Sequence, residues 1–226
     1  MKKAVIFDLD DTLISEDEYI KSGYRAVAAF LKDLYGWDER MTCRQLYDLY
    51  LEDSTNVFNR LLDSRDIRYR DSEIMELVSV YREHVPEISY YPDVMPTLFE
   101  LRNRGIKLGI LSDGYAVTQR MKVTVLKSKK MFDKIILTDE LGREYWKPDP
   151  RPFIMMKEAF QIGWDDMIYV GDNPKKDFYI GHDFPIMTVR IMREQSVYLN
   201  EQYREGVTEA ARIDNLKELI NIIRFS

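Results

Sequence analysis

Lys3-Ala4-Val5-Ile6-Phe7-Asp8-Leu9-Asp10-Asp11-Thr12-Leu13 opens the chain with a short, apolar, β-branched run that ends in three acids. Residues 3–9 read as a strand. The unbroken apolar stretch from Ala4 to Phe7 is what burial on both faces of a parallel sheet requires. Side chains alternate along a strand, so Asp8 and Asp10 point the same way at its C-terminal tip. That tip is the edge at which open α/β sheets take their ligands. Two carboxylates this close repel: they need a cation between them, or one must hold a proton. The plainer reading is an acidic turn in water, or a calcium loop. An EF-hand would want Gly and Glu at its sixth and twelfth positions, where this loop has Leu13 and Tyr19.

Working outward, residues 106–112, 134–138, 167–171 and 186–191 have the same short, β-branched character and read as further strands. Helical patterns lie between them, over 94–104 (stopped by Gly105), 117–130 (with a basic end that suits the helix dipole), 152–161 and 214–224. Strands alternating with helices predict an open, parallel α/β sheet. The alternation breaks once. Between the first two strands, Ile20, Tyr24, Val27, Leu31 and Leu34 recur at helical spacing, as do Ile74, Leu77, Val78, Tyr81 and Val85. A structureless loop of that length is improbable, so the spacing predicts a helical domain inserted after the first strand. The division expected is a core over 1–15 and 91–226 and a helical domain over 16–90. The insertion has 10 basic and 16 acidic residues and so carries the whole net charge of −6.

Composition narrows the chemistry. The 226 residues are 45% hydrophobic and 32% charged, an ordinary globular mix with enough chain to bury a core without disulfide or metal staples. A lone cysteine, Cys43, excludes a Cys-rich zinc site, and two histidines, His84 and His182, leave little for a His cluster. Divalent metal would have to be held by carboxylate oxygens, which favours a hard ion such as magnesium. The acidic balance argues against nucleic acid as a partner. No apolar run approaches the roughly 20 residues of a membrane span, and the apolar start is too short for a signal peptide. A soluble, cytoplasmic protein is expected.

Three more fragments follow predicted strands. Leu111-Ser112-Asp113-Gly114 offers a hydroxyl, a glycine that admits close backbone approach, and the free amides of a helix start; a Ser/Asp helix cap explains it as well. Trp146-Lys147-Pro148-Asp149-Pro150 brackets an acid with prolines and would fix where Lys147 points, as a point charge suited to a phosphate oxygen. A solvated lysine before a proline-started helix is the alternative. Gly171-Asp172-Asn173-Pro174-Lys175-Lys176-Asp177 puts another acid pair at a strand tip, or is a turn with Pro174 opening a helix. Each has a dull explanation alone. All four on one edge of one sheet supply acids, a hydroxyl, a lysine and amide-rich turns, a set able to bind magnesium and a phosphoryl group together.

In that order the motifs resemble those of the haloacid dehalogenase-like superfamily, in its phosphatase branch: Asp8-Leu9-Asp10-Asp11-Thr12, then Ser112, Lys147, and Gly171-Asp172 with Asp177. The resemblance implies a Rossmann-like open parallel sheet core with an inserted α-helical cap domain that closes as a lid. It implies Asp8 as nucleophile, forming an aspartyl-phosphate, and Asp10 as general acid and base. Mg²⁺ would be held by the Asp8 and Asp172 side chains and the Asp10 backbone carbonyl. Ser112, Lys147 and the amides near Asp113 and Gly114 would hold the substrate's phosphoryl oxygens, with Thr12 and Asp177 one shell further out. Dehalogenating members lack the second acid of the first motif; Asp10 is present here, which implies phosphoryl chemistry. The substrate expected is a small phosphorylated metabolite, a sugar phosphate or a nucleoside monophosphate. The insertion's eight tyrosines and Trp37 are read chiefly as its own core, with stacking on a sugar or base as the alternative. The rival readings are a phosphomutase with the same residues, or a regulatory protein that accepts phosphate without turnover.

Overall fold

The computed structural model describes residues 2–203 and 206–225. Six strands, β1 (Ala4–Phe7), β2 (Lys107–Ser112), β3 (Lys134–Leu137), β4 (Met167–Gly171), β5 (Met187–Ile191) and β6 (Ala211–Ile213), form one sheet in the order β3-β2-β1-β4-β5-β6. Every pairing is parallel. The sheet is thus the open, parallel one that the alternation predicts, and Rossmann-like as the resemblance implies. β1 is central, with Phe7 opposite Ile110 of β2 and Val170 of β4. All four residues of β1 and all five of β4 are buried, which is why both strands read as unbroken apolar runs. The chain order reverses beside β1, between β1 and β4, and a crevice opens at such a switch point outside the strand ends.

Helices α5 (Val94–Asn103), α6 (Ala116–Val125), α7 (Arg151–Phe160), α8 (Tyr179–Asp183) and α9 (Leu219–Phe225) belong to the same unit, Met1–Glu16 with Ser89–Ser226. One face of the sheet packs Ala4, Ile6, Leu111 and Tyr169 against Phe153, Met156 and Phe160 of α7. Two expectations need correction. The helix expected over 117–130 ends at Val125, because Lys127 turns into the left-handed region (φ 52°) and Ser128–Lys130 forms a separate 3-10 turn. The helix expected over 214–224 starts as a 3-10 turn, Leu216–Glu218, capped by the Asn215 side chain, before α9. The sequence reading also passed over β6.

Residues Asp17–Ile88 form a second compact unit, built from α1 (Glu16–Tyr35), α2 (Glu39–Glu52), α3 (Val57–Asp63) and α4 (Asp71–Glu83). Ile20, Tyr24, Val27 and Leu31 of α1 meet Leu46, Phe58, Leu61 and Leu77 in its core. The apolar stripe stops short of its expected ends, since Leu34 is 54% and Val85 71% exposed. The aromatics of this unit pack on one another: the Tyr24 and Tyr81 ring centroids lie 5.4 Å apart and those of Tyr35 and Trp37 4.7 Å apart. Among the described residues no helix is long and apolar enough to cross a membrane.

A buried ion pair ties the first unit together behind the first motif. Arg193, after β5, donates to Asp93 at 2.9 Å and to the Thr12 carbonyl at 2.9 and 3.2 Å; Asp93 also accepts from the Leu216 amide at 2.7 Å. Removing one partner of such a pair strands a buried charge and costs about 3–5 kcal/mol. Asp93→Ala is therefore expected to lower the unfolding free energy in urea by about that amount; a loss below about 1 kcal/mol would show that Arg193 finds another partner.

Candidate active site

The three central strands bring the first, second and fourth motifs side by side. Asp8 follows β1, and its amide donates to the Val170 carbonyl at 2.8 Å, locking the tip of β1 to β4. Ser112 ends β2, Asp172 follows β4, and Lys147 arrives from the loop after β3. All four are nearly inaccessible, at 5%, 1%, 3% and 5% exposure respectively.

The Lys147 ammonium is the hub. It lies 3.0 Å from Asp8, 2.8 Å from Asp177 and 2.7 Å from the Tyr169 hydroxyl. Burial alone would favour its neutral form, but Asp177 and Asp8 hold its pKa well above the ordinary value. Tyr169 in turn donates to Asp177 at 3.1 Å, and the Asn173 amide donates to the other Asp177 oxygen at 2.9 Å. Asp113 fixes the lysine from behind: its carboxylate accepts from the Lys147 amide at 3.2 Å, the Thr138 hydroxyl at 2.8 Å and the Lys176 ammonium at 2.9 Å. Lys147 and Lys176 keep Asp113 below the usual carboxylate range despite its burial.

Oxygens of Asp8, Asp172 and Asp177 lie within 4.8 Å of one another. Burial, with Asp177 adding to it and Lys147 opposing, pushes Asp8 up to about 6. Burial, then Asp177 and Asp8, drives Asp172 well above its ordinary value. A hydrogen bond from Ser196, which donates to Asp172 at 2.6 Å, opposes this. Two carboxylates raised by burial and by neighbouring acids, Asp177 for both and Asp8 also for Asp172, lack sufficient positive charge, and all the donors are oxygens. The set fits a hard divalent cation. Asp177 is already engaged by Lys147, Tyr169 and Asn173, which leaves Asp8 and Asp172 as the side chains best placed to hold one.

Asp10 stands apart from this group. Its two oxygens accept from the Lys122 ammonium at 2.6 Å and the Gln119 amide at 2.7 Å. Thr12 is fully buried, and its carbonyl is held by Arg193. Gly114, at φ 120°, takes a conformation that an L side chain rarely adopts; a Cβ there would meet the Gln119 amide nitrogen at 2.9 Å. The glycine thus makes room for Gln119 as well as for the turn. Gln119, Lys122, Tyr169, Lys176 and Ser196 were not singled out from sequence. Gln119 and Lys122 carried a faint signal, two polar residues at i, i+3 on one helix face. Ser196 sits in no motif and carried none.

A family model described as Haloacid dehalogenase-like hydrolase matches residues 5–191. The chain belongs to that family. Among curated proteins, a relative from Methanopyrus kandleri named glyceraldehyde 3-phosphate phosphatase is 31% identical over 99% of this chain and 98% of its own. One from Thermus thermophilus named phosphoserine phosphatase is 28% identical over 96% of this chain and 97% of its own. A crystal structure of a haloacid dehalogenase-like phosphatase from Thermococcus onnurineus superposes with a TM-score of 0.62 at 26% identity, covering 98% of this chain and 97% of that one. This haloacid dehalogenase-like hydrolase is an enzyme of the phosphatase branch.

Gly171 is the tightest point of the site. A Cβ on it would come within 2.7 Å of the Asp177 Cγ, and Asp177 is pinned by three partners. Gly171→Ala is expected to cost about 1–3 kcal/mol of stability in denaturant unfolding as Asp177 is forced off Lys147; an unchanged midpoint would mean that Asp177 has room to retreat.

Proposed function

We propose that this chain hydrolyses a small phosphate monoester through a phosphoryl group carried on Asp8. The observation that carries the reading is the environment of Asp8: a buried carboxylate at the tip of the central strand, 3.0 Å from an ammonium that is itself fixed by Asp177, with Asp172 beside it. An Asp8 oxygen attacks phosphorus, and the bond from phosphorus to the leaving oxygen breaks. Asp10 gives its proton to that oxygen. Water then attacks the same phosphorus, Asp10 takes a proton from it, and the Asp8–phosphorus bond breaks to release inorganic phosphate. Lys147 offsets charge on the phosphoryl oxygens, as would Ser112 and the amides of the turn before α6.

Asp8 and Asp172 would hold Mg²⁺, with the Asp10 carbonyl as a third oxygen; when bound, the ion neutralises charge on the transferring phosphoryl group. Ser196 orients Asp172 for that role. The helical unit, inserted between Glu16 and Ser89 directly after the first motif, serves as the cap that excludes water during transfer. Its surplus of acids disfavours polyanions. Relatives named for glyceraldehyde 3-phosphate and phosphoserine act on small phosphorylated molecules. The substrate proposed is accordingly a small metabolite monophosphate of the sugar-phosphate class, and glyceraldehyde 3-phosphate is the first to test.

Two measurements check this. Asp8→Asn should lower phosphate release from a generic monoester by at least about 10³-fold while the protein stays folded; wild-type turnover would remove Asp8 as nucleophile. EDTA should abolish activity and Mg²⁺ restore it, and Asp172→Asn should weaken the Mg²⁺ requirement's midpoint by about 10-fold or more. Turnover that persists without divalent metal would remove Asp172 from its place.

A further inference from the structure

The proton-transfer role given to Asp10 raises the question of what holds its carboxyl in place. It sits three residues beyond β1 at the start of a turn, 20% exposed, and is not part of the Lys147 ion-pair network around Asp8. Its partners come from one helix face. Lys122 and Gln119, three residues apart on α6, are 3% and 1% exposed, and they occupy one Asp10 oxygen each, at 2.6 and 2.7 Å. The Gln119 nitrogen also lies 2.6 Å from the Asp113 carbonyl and 3.0 Å from the Ser112 hydroxyl. The Asp10 carboxylate and the Asp113 carbonyl are acceptors only, so both require the nitrogen, not the oxygen, of the amide at that point. Gln119 therefore links Asp10 to the turn after β2, the turn that receives phosphoryl oxygens in the reading above.

We propose that Lys122 and Gln119 are positioning residues for the general acid and base, fixing the Asp10 carboxyl relative to the phosphoryl-binding turn and compensating its charge once its proton has gone to the leaving oxygen. Burying a lysine is expensive unless its charge is used, and here its ion pair is with Asp10 at 2.6 Å, outside the Lys147 network, while its charge also favours the ionised forms of Asp11 and Glu16. Two acids of one motif thus have separate cations: Lys147 for the nucleophile, Lys122 for the proton carrier. The amide of Gln119 supplies direction, since it is fixed by acceptors on both sides. This inference rests on the assignment of Asp10 as acid and base.

The test exploits leaving-group chemistry. General acid help matters for an alkyl phosphate, whose alkoxide leaves poorly, and hardly at all for p-nitrophenyl phosphate, whose phenolate leaves unaided. kcat/KM reports the steps up to leaving-group departure, so it isolates the acid role from the later hydrolysis. Lys122→Met should lower kcat/KM for glycerol phosphate by about 10²-fold while changing that for p-nitrophenyl phosphate by less than about 3-fold. Lys122→Arg should recover part of the difference, and Gln119→Met should show the same selectivity in smaller measure. Equal losses on both esters would reduce Lys122 to a structural residue and overturn the proposal. Should Lys122→Met fail to fold, the Gln119→Met and Lys122→Arg ratios are read the same way. Asp10→Asn, measured alongside, separates the two levels. If it is selective and the Lys122 and Gln119 variants are not, the positioning role alone fails; if Asp10→Asn is itself unselective, the assignment of Asp10 fails beneath it.

Discussion

One ammonium group between two buried carboxylates is the arrangement around which the core unit is organised. Lys147, with Asp8 and Asp177 at 3.0 and 2.8 Å, makes it feasible to keep a carboxylate at the end of an otherwise apolar central strand. Taking such charges out of water costs several kcal/mol each unless geometry and hydrogen bonds repay it. The surrounding residues satisfy that condition. Tyr169 and the Asn173 amide complete Asp177, Asp113 holds the Lys147 backbone, and the β1–β4 hydrogen bond fixes Asp8. Together they fix the buried Asp8 carboxylate in one orientation.

The acids are then distinguished by their environments. Asp8 and Asp172 remain under-compensated and are pushed upward by burial and by the Asp177 carboxylate, the condition that a hard cation relieves. Asp113 has cations on hand and is pulled downward. Asp10 has its own lysine and amide on α6. Acids of one site with different surroundings are the usual way a single fold obtains a nucleophile, a ligand and a proton carrier from one residue type. The sheet order makes this possible: β2, β1 and β4 are neighbours, so segments over 160 residues apart in sequence end at one edge.

What could be read from sequence followed from burial. β1, β2 and β4 are apolar on both faces, so they announced themselves as parallel strands, and the strand tips carried the motifs with them. β6 was not legible because a three-residue edge strand, Ala-Arg-Ile, exposes Arg212 and shows no pattern of its own. The end of α6 was misplaced because the lysine-rich run Lys127-Ser128-Lys129-Lys130 continues the helical pattern, whereas the backbone turns left-handed at Lys127 and Ser128 is buried with its hydroxyl against that of Tyr90. α2 and α3 were covered only by the general expectation of a helical insertion. In the site, Asp8 and Asp172 were legible because each stands at a strand tip, whereas Asp177 and Lys147, six and ten residues beyond β4 and β3, were legible only as members of the motif set. Their supports were not. Tyr169 looks like any strand aromatic, Lys122 like a surface lysine, and Ser196 like a loop serine; only the three-dimensional register turns them toward the acids.

The proposed reaction requires phosphorus to become bonded to Asp8 before water attacks it. Its most direct measurement is acid quenching during the first turnover of a phosphate monoester with Mg²⁺, followed by peptide mapping by mass spectrometry. The account predicts a hydroxylamine-labile phosphoryl group on the peptide containing Asp8, appearing before free phosphate and decaying as phosphate is released. A phosphoryl group on a different residue, or a completed first turnover with the Asp8 peptide unmodified at every time point, would contradict it.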